Sequence, residues 1–165
     1  MPPDQHTKDR VTADGNGVRC AVIEDAAVQA AMQPWIPIEC YQLGRGKRLG
    51  RMDCMDLGTQ QIVREQQEVA VQKIGITPPD LCTISCCTPD PTFRFTELRA
   101  GDPDRVFFMP GNQEFDIYVP AGARTSYVSF RQDEFLSGAR TLDPEQWEHA
   151  PGDLIHIPTA SQAAL

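Results

Sequence analysis

Residues 93–130 read FRFTELRAGDPDRVFFMPGNQEFDIYVPAGARTSYVSF, and this stretch decides the fold class. It contains four runs rich in aromatic and β-branched residues, which are typical of strands. The segments AGDPD, PGNQ and PAGA separate these runs, and Gly, Pro, Asn and Asp are the residues that turns prefer. These gaps are too short for the crossover helices that connect parallel strands. The stretch therefore predicts four antiparallel strands.

The same pattern extends towards the N-terminus and gives nine candidate strands in all. They are residues 38–43, 51–57, 60–66, 68–74, 81–87, 93–98, 105–109, 114–119 and 124–130. Short, regularly spaced strands with Pro and Gly between them are typical of an antiparallel all-β sandwich or barrel. We therefore predict a mainly β domain.

The two ends of the chain have a different character. Residues 1–19 are polar and lack periodicity, so we expect them to be disordered. The Ala-rich segment 20–33 predicts a helix that ends before Pro34, and 131–139 predicts a short second helix. We expect one β domain over 20–140 and a tail over 141–165. The tail ends in a helix start, capped by Thr159 or Ser161, which would continue in a longer protein.

Composition argues against two classes of function. The net charge is −8, with 15 Lys and Arg against 23 Asp and Glu, whereas DNA binding needs clustered basic residues. We therefore expect no direct contact of this chain with nucleic acid. No apolar run approaches the roughly 20 residues that a membrane span needs. The N-terminus has no apolar core of a secretory signal, so a cytoplasmic location is expected.

Residues for catalysis or metal binding are not arranged in any familiar pattern. His6, His149 and His156 all lie outside the nine strands, so the sequence predicts no metal site and no cofactor. No GxSxG motif is present, and no strand histidine could serve as a base. We therefore name no catalytic residue and predict that the chain is not an enzyme.

Three further groups of residues have a structural interpretation. The six cysteines are interpreted as small buried hydrophobic residues, with a redox or metal role as the alternative. The acid pairs Asp53/Asp56 and Glu65/Glu68 are interpreted as solvated surface charges. The basic segment 44–51 is interpreted as a flexible hairpin connection. In the alternative, Arg48 or Arg51 would contact an anionic ligand or a partner. The six cysteines are Cys20, Cys40, Cys54, Cys82, Cys86 and Cys87.

Several short motifs together resemble the N-terminal domain of AraC-family transcription regulators. The first part carries Glu24-Asp25-Ala26-Ala27, Trp35, Tyr41-Gln42-Leu43, Gly46 and Gly50. The later part carries Leu57-Gly58, Ile62-Val63-Arg64-Glu65, Phe107-Phe108-Met109-Pro110-Gly111, Glu114-Phe115-Asp116 and Pro120. The resemblance covers roughly residues 21–136.

The resemblance implies a cupin-like jelly-roll domain that senses a small-molecule effector. It also implies a homodimer, and contact with DNA only through a C-terminal helix-turn-helix domain that is absent from this chain. Two alternatives stay open: a stand-alone, metal-free, cupin-like enzyme, and an interaction domain without a ligand. The sequence identifies neither the effector nor the operator.

A ligand cavity between the sheets is predicted from the alternation of side chains along strands. The residues predicted to line this mostly apolar cavity are Trp35, Met52, Cys54, Arg64, Cys86 and Phe95. Arg64 would anchor a ligand carboxylate, because a buried guanidinium needs an anionic partner. The alternative is that Arg64 lies at the surface or pairs with a protein carboxylate.

Overall fold

The computed structural model describes residues 11–13 and 17–159 of the chain. Among these residues it has thirteen strands and two helices. The strands are β1 Val11–Ala13, β2 Val18–Ile23, β3 Ile38–Gln42, β4 Gly50–Asp56, β5 Gln60–Gln67, β6 Val71–Ile76, β7 Leu81–Cys87, β8 Asp90–Phe95, β9 Leu98–Ala100, β10 Arg105–Met109, β11 Glu114–Val119, β12 Arg124–Arg131 and β13 Ile155–Pro158. The helices are α1 Ala26–Ala31 and α2 Gln132–Leu142.

The strands form two sheets that pack face to face. The large sheet has the order β1-β2-β4-β5-β12-β7-β10-β13, and the small sheet has the order β3-β6-β11-β8-β9. Every strand pair is antiparallel. The prediction of a mainly β, antiparallel sandwich is therefore confirmed, and the strand order is compatible with a jelly roll.

Two apolar clusters hold the described part of the chain together. The main core lies between the sheets and includes Met52, Val63, Phe93 and Phe107. A second cluster of Cys82, Phe108, Leu136 and Trp147 lies on the outer face of the large sheet, where α2 covers it. Phe107 and Phe108 belong to different clusters, because successive strand residues point to opposite faces.

The predicted helix over 20–33 is wrong in its first half. Residues 18–23 form a strand that pairs with β4, and its Ala21 and Ile23 point into the core. Helix α1 begins only after Asp25, whose side chain accepts a hydrogen bond from the amide of Val28 at 2.8 Å. The Val and Ile of the segment favour the strand, and the Asp cap fixes where the helix starts.

Parts of both terminal segments belong to the sandwich. Strand β1 pairs with β2 at one edge of the large sheet, so residues 11–13, 18 and 19 are ordered, contrary to expectation. The main-chain hydrogen bonds of a sheet edge order this segment without needing an apolar pattern. In the tail, β13 pairs with β10 at the opposite edge, and Trp147 is buried under α2. The predicted helix start at Thr159 or Ser161 falls largely outside the described residues.

In the described ranges, neither helix has the length and apolar character to cross a lipid bilayer.

Candidate functional site

The interior of the sandwich contains a buried ion pair that joins the two sheets. Glu65 lies on β5 of the large sheet and Lys73 on β6 of the small sheet. The Lys73 ammonium donates to both carboxylate oxygens of Glu65, at 2.6 and 2.5 Å. Both residues are at most 5% exposed. Removing two charges from water costs several kcal/mol per ion, and this cost offsets much of their attraction. Stabilisation of the fold alone therefore does not explain why the pair is buried.

Tyr127 and Gln33 lie beside the ion pair. Tyr127 stands on β12, next to β5, and its hydroxyl donates to the side-chain carbonyl of Gln33. Burial, followed by the nearby Glu65 carboxylate, raises the pKa of Tyr127 well above its ordinary value. The phenol therefore remains protonated and can donate a hydrogen bond at neutral pH. Gln33 follows α1, so the cluster connects both sheets with the N-terminal segment.

These polar groups border a small cavity of about 40 Å³ between the sheets. Aromatic and aliphatic side chains line the rest of it, among them Phe93, Phe95 and Phe115. Because one water molecule in the liquid occupies about 30 Å³, the cavity has room for only a few heavy atoms. Its polar lining residues are Gln33, Glu65, Lys73, Thr83, Ser85, Thr125 and Tyr127.

One donor at the cavity lacks an acceptor among the described residues. The side-chain nitrogen of Gln33 is buried and makes no hydrogen bond there, although Gln33 is only 2% exposed. The indole nitrogen of Trp35 is also buried and makes no hydrogen bond with a described residue. An unsatisfied buried donor costs about 1–3 kcal/mol, so the Gln33 amide, which lines the cavity, favours a bound molecule with an acceptor oxygen.

Burial also changes the chemistry of the interior cysteines. Desolvation raises the pKa of Cys40 to about 11, although the nearby Lys73 opposes this effect. Cys54 also has its pKa raised to about 11 by desolvation, with Glu65 adding to the shift. Reactive thiols need a lowered pKa, so these two are suited to packing. None of the six cysteines forms a disulfide bond.

Within residues 17–159 no three or more His, Cys, Asp or Glu side chains are grouped so that they could hold a metal ion.

Three of the six predicted site residues have the predicted inward orientation. Phe95 lines the cavity. Met52 and Cys54 are buried in the same core cluster but do not line the cavity. Trp35 is half-buried and packs against that cluster.

The predicted positions of Arg64 and Cys86 are wrong. Both side chains are exposed on the outer face of the large sheet. The alternation itself is as predicted, but the inward set on β5 contains Val63 and Glu65, and on β7 it contains Thr83 and Ser85. Arg64 therefore cannot anchor a ligand between the sheets.

The interpretation of Glu65 as a solvated surface acid is also wrong. A usable signal existed in the period-two pattern, because Lys73 follows Val69 and Val71 on one face and Glu65 follows Val63. A charged residue on the same strand face as apolar residues indicates a buried charge, and a buried charge needs a partner of opposite sign. The surface interpretation fits Glu68, whose carboxylate accepts from Nε of Arg48 at 2.8 Å.

The sequence matches no family model and no curated protein. Among solved structures, the chain is similar to the crystal structure of the AraC-like transcriptional activator CuxR. The TM-score is 0.51 and the identity 16%, and the match covers 79% of this chain and 50% of that chain. The chain thus spans about half the length of that structure. The AraC-type resemblance drawn from the sequence is confirmed at the level of the fold: the chain has a fold found in an AraC-like activator.

Proposed function

We propose that this chain is the effector-sensing domain of an AraC-type transcription regulator. Its sensing site would be the interior cluster, which consists of Gln33, Glu65, Lys73 and Tyr127. The observation that carries the proposal is the ion pair between Glu65 and Lys73, which joins the two sheets beside a cavity. Buried charges are costly, and groups of them in a cavity are typical of functional sites. The fold shared with an AraC-like activator supports the regulatory role.

The lining of the cavity limits what the effector can be. The carbonyl or hydroxyl oxygen of an effector would accept a hydrogen bond from the unsatisfied side-chain nitrogen of Gln33. It would have only a few heavy atoms, unless the sheets move apart. A molecule bound beside Lys73 and Glu65 contacts both sheets at once. It can therefore favour one arrangement of the sheets over another, which is the requirement for transmitting a signal.

The remaining parts of the proposal concern the partners. The regulator would act in the cytoplasm as a homodimer, and its DNA contacts would come from a helix-turn-helix domain following this chain. With a net charge of −8, this chain itself repels the phosphate backbone. The sensing domain would therefore control DNA binding without contributing to it.

The proposal is tested with the complete gene product and a reporter fused to its own promoter. We expect the complete protein to shift promoter DNA at physiological salt, and the 165-residue chain alone not to shift it. Lys73→Met in the complete protein should abolish the change of reporter activity with growth conditions, whereas Arg105→Gln, at an exposed pair, should leave it intact. A gene product without a DNA-binding domain, or DNA shifted by this chain alone, would contradict the proposal.

One observation favours a second candidate, a metal-free cupin-like enzyme. A carboxylate, an amine and a phenol share the cavity, and these are groups that can transfer protons. An isomerase or lyase of this kind would convert a small carbonyl compound without needing a second domain. A gene product that ends near Leu165 and consumes such a compound, with the activity lost in Glu65→Gln, would favour the enzyme over the sensor.

A further inference from the structure

The outer face of the large sheet contains a second concave site, on the opposite side of the sheet from the interior cavity. It is a groove of about 420 Å³ in the half of this face that α2 leaves open. We call it the arginine groove. Its lining residues are Arg51, Asp53, Arg64, Glu65, Gln66, Arg124, Thr125 and Ser126.

The strand register brings three arginines together around Gln66. Gln66 on β5 pairs with Arg51 on β4 and with Arg124 on β12. Arg64 lies two residues before Gln66 on the same face of β5. Neighbouring strands are about 4.8 Å apart, so the Cα atoms of Arg51 and Arg124 are separated by about 10 Å. The three guanidinium groups therefore surround one small area of the sheet.

The charges of the groove are incompletely balanced. Arg51 contacts Asp53 at 3.4 Å, whereas neither Arg64 nor Arg124 forms an ion pair with any described residue. The Glu65 carboxylate belongs to the interior, where Lys73 binds it. Three positive groups thus face one negative group, in a chain whose net charge is −8.

Among the other arginines of the described chain, four have acidic partners, and four have no ion pair with a described residue: Arg19, Arg45, Arg99 and Arg140. The pairs are Arg48–Glu68, Arg94–Asp116, Arg105–Asp102 and Arg131 with Asp133 and Glu134. Since acids outnumber bases in this protein, unpaired arginines that are neighbours in a sheet are unexpected. Like charges close together on a sheet are destabilising unless an anion lies between them.

We propose that the arginine groove binds a small molecule bearing phosphate groups. The planar fork of an arginine matches two phosphate oxygens, and Arg64 and Arg124 are free to bind in this way. Arginines spread over about 10 Å suit a ligand with more than one anionic group. The groove volume lies within the range of about 300–1,000 Å³ that is usual for small-molecule sites. This inference does not depend on the proposed function of the interior.

The site would be joined to the interior through the backbone of two strands. Arg64 precedes Glu65 on β5, and Arg124 precedes Thr125 on β12, so consecutive residues line the groove and the cavity. A ligand that draws β5 and β12 together from outside would act on the strands that carry the interior cluster.

The test is a calorimetric titration of the 165-residue chain with inorganic pyrophosphate in 150 mM salt (about physiological). Citrate serves as a carboxylate probe, and a short DNA duplex serves as a macromolecular one. We expect saturable binding of one pyrophosphate per chain, and weaker binding of citrate. Arg64→Gln and Arg124→Gln should each weaken pyrophosphate binding by about tenfold or more, since each removes charge-assisted hydrogen bonds. Arg64→Lys should also weaken it, because the charge remains but the fork is lost.

The matched control is Arg105→Gln, which makes the same charge change at an exposed arginine already paired with Asp102. Its affinity for pyrophosphate should stay within about twofold of the parent. Circular dichroism checks that each variant is folded. The proposal is overturned if pyrophosphate does not bind saturably, if Arg105→Gln weakens binding as much as Arg64→Gln, or if citrate binds more tightly. Tighter, Arg64-dependent binding of the duplex would assign the groove to nucleic acid and would also overturn it.

Discussion

At the scale of single residues, the most informative pair is Glu65 and Lys73. Each is charged, each is almost completely buried, and each is compensated by the other across the space between the sheets. Such a pair fixes how the sheets face each other, because a shifted arrangement would leave a charge alone in the core. Its removal should therefore affect stability in a way that depends on whether one or both partners are lost.

We predict that Lys73→Met and Glu65→Leu each lower the free energy of unfolding by about 3–5 kcal/mol, because each leaves one unpaired buried charge. The double variant should lose less than the sum, since no charge then remains unpaired. Urea unfolding measures all three values. The exposed Arg48–Glu68 pair provides the control, and Arg48→Met should change the free energy of unfolding far less than either interior substitution. Additive effects of the two interior substitutions would show that the partners act independently.

A second residue-scale prediction concerns alkaline pH. Burial raises the pKa of Cys82 from 9.0 to about 12. Below pH 9 the thiol is protonated in both states. Between pH 9 and 12 it ionises in the unfolded chain and stays protonated in the folded one, so stability falls as pH rises. One such thiol contributes a slope of about 1.4 kcal/mol per pH unit.

Cys82→Val should therefore make the loss of stability between pH 9 and 11 shallower by up to that slope. Urea unfolding at several pH values measures it. Cys86→Ala, at an exposed cysteine, is measured alongside as the control for removing a thiol. An equal slope in the parent and in Cys82→Val would mean that the thiol ionises alike in the two states.

At the scale of elements, two glycines illustrate how strand and helix positions differ. On Gly75 in β6, an added Cβ would lie 2.3 Å from the carbonyl oxygen of Pro37 and 2.6 Å from Cζ of Phe115. On Gly138 in α2, an added Cβ would meet no atom within 4 Å. The first glycine allows a close approach of backbone segments, whereas the second only weakens its helix.

We predict opposite effects of alanine at these two positions. Gly75→Ala should destabilise the protein by about 1–3 kcal/mol, because the rigid Pro37 backbone must move. Gly138→Ala should stabilise it by about 0.5–1 kcal/mol through the better helix propensity of alanine. Thermal unfolding followed by circular dichroism compares the two. Destabilisation by Gly138→Ala would contradict this prediction, because it would mean that the added methyl group clashes with a neighbouring group.

The elements were largely predictable from sequence, because Pro and Gly clusters mark most of their ends. The errors occur where the chain turns without such residues. The predicted strand 93–98 is interrupted at Thr96, which has a φ of 50° and starts a hairpin between β8 and β9. The predicted strand 68–74 begins late, because the amides of Glu68 and Val69 both donate to the carbonyl of Leu49. Neither the turn at Thr96 nor the late start of β6 is accompanied by Pro or Gly that would indicate it in the sequence.

At the scale of the whole molecule, the sandwich was predictable but its functional site was only partly so. Period-two alternation defines two faces for each strand and does not say which face is inside. On β4, the apolar residues Met52 and Cys54 correctly indicate which face of the strand points inward. On β5 both faces are mixed, Ile62 with Arg64 and Val63 with Glu65, so the pattern of β5 by itself does not indicate which face is buried. The decision comes from Lys73, which lies on the other sheet and neutralises Glu65.

The position of β12 has a consequence for how the chain is made. β12 lies between β5 and β7, pairing Phe130 with Gln60 on one side and with Cys82 on the other. Until residue 131 leaves the ribosome, β5 and β7 each present an unpaired edge to their surroundings. Chains dominated by such distant pairings fold in about milliseconds to seconds, slower than helical bundles. Exposed edges recruit other strands during that interval, so a nascent chain that stalls before β12 is a template for aggregation.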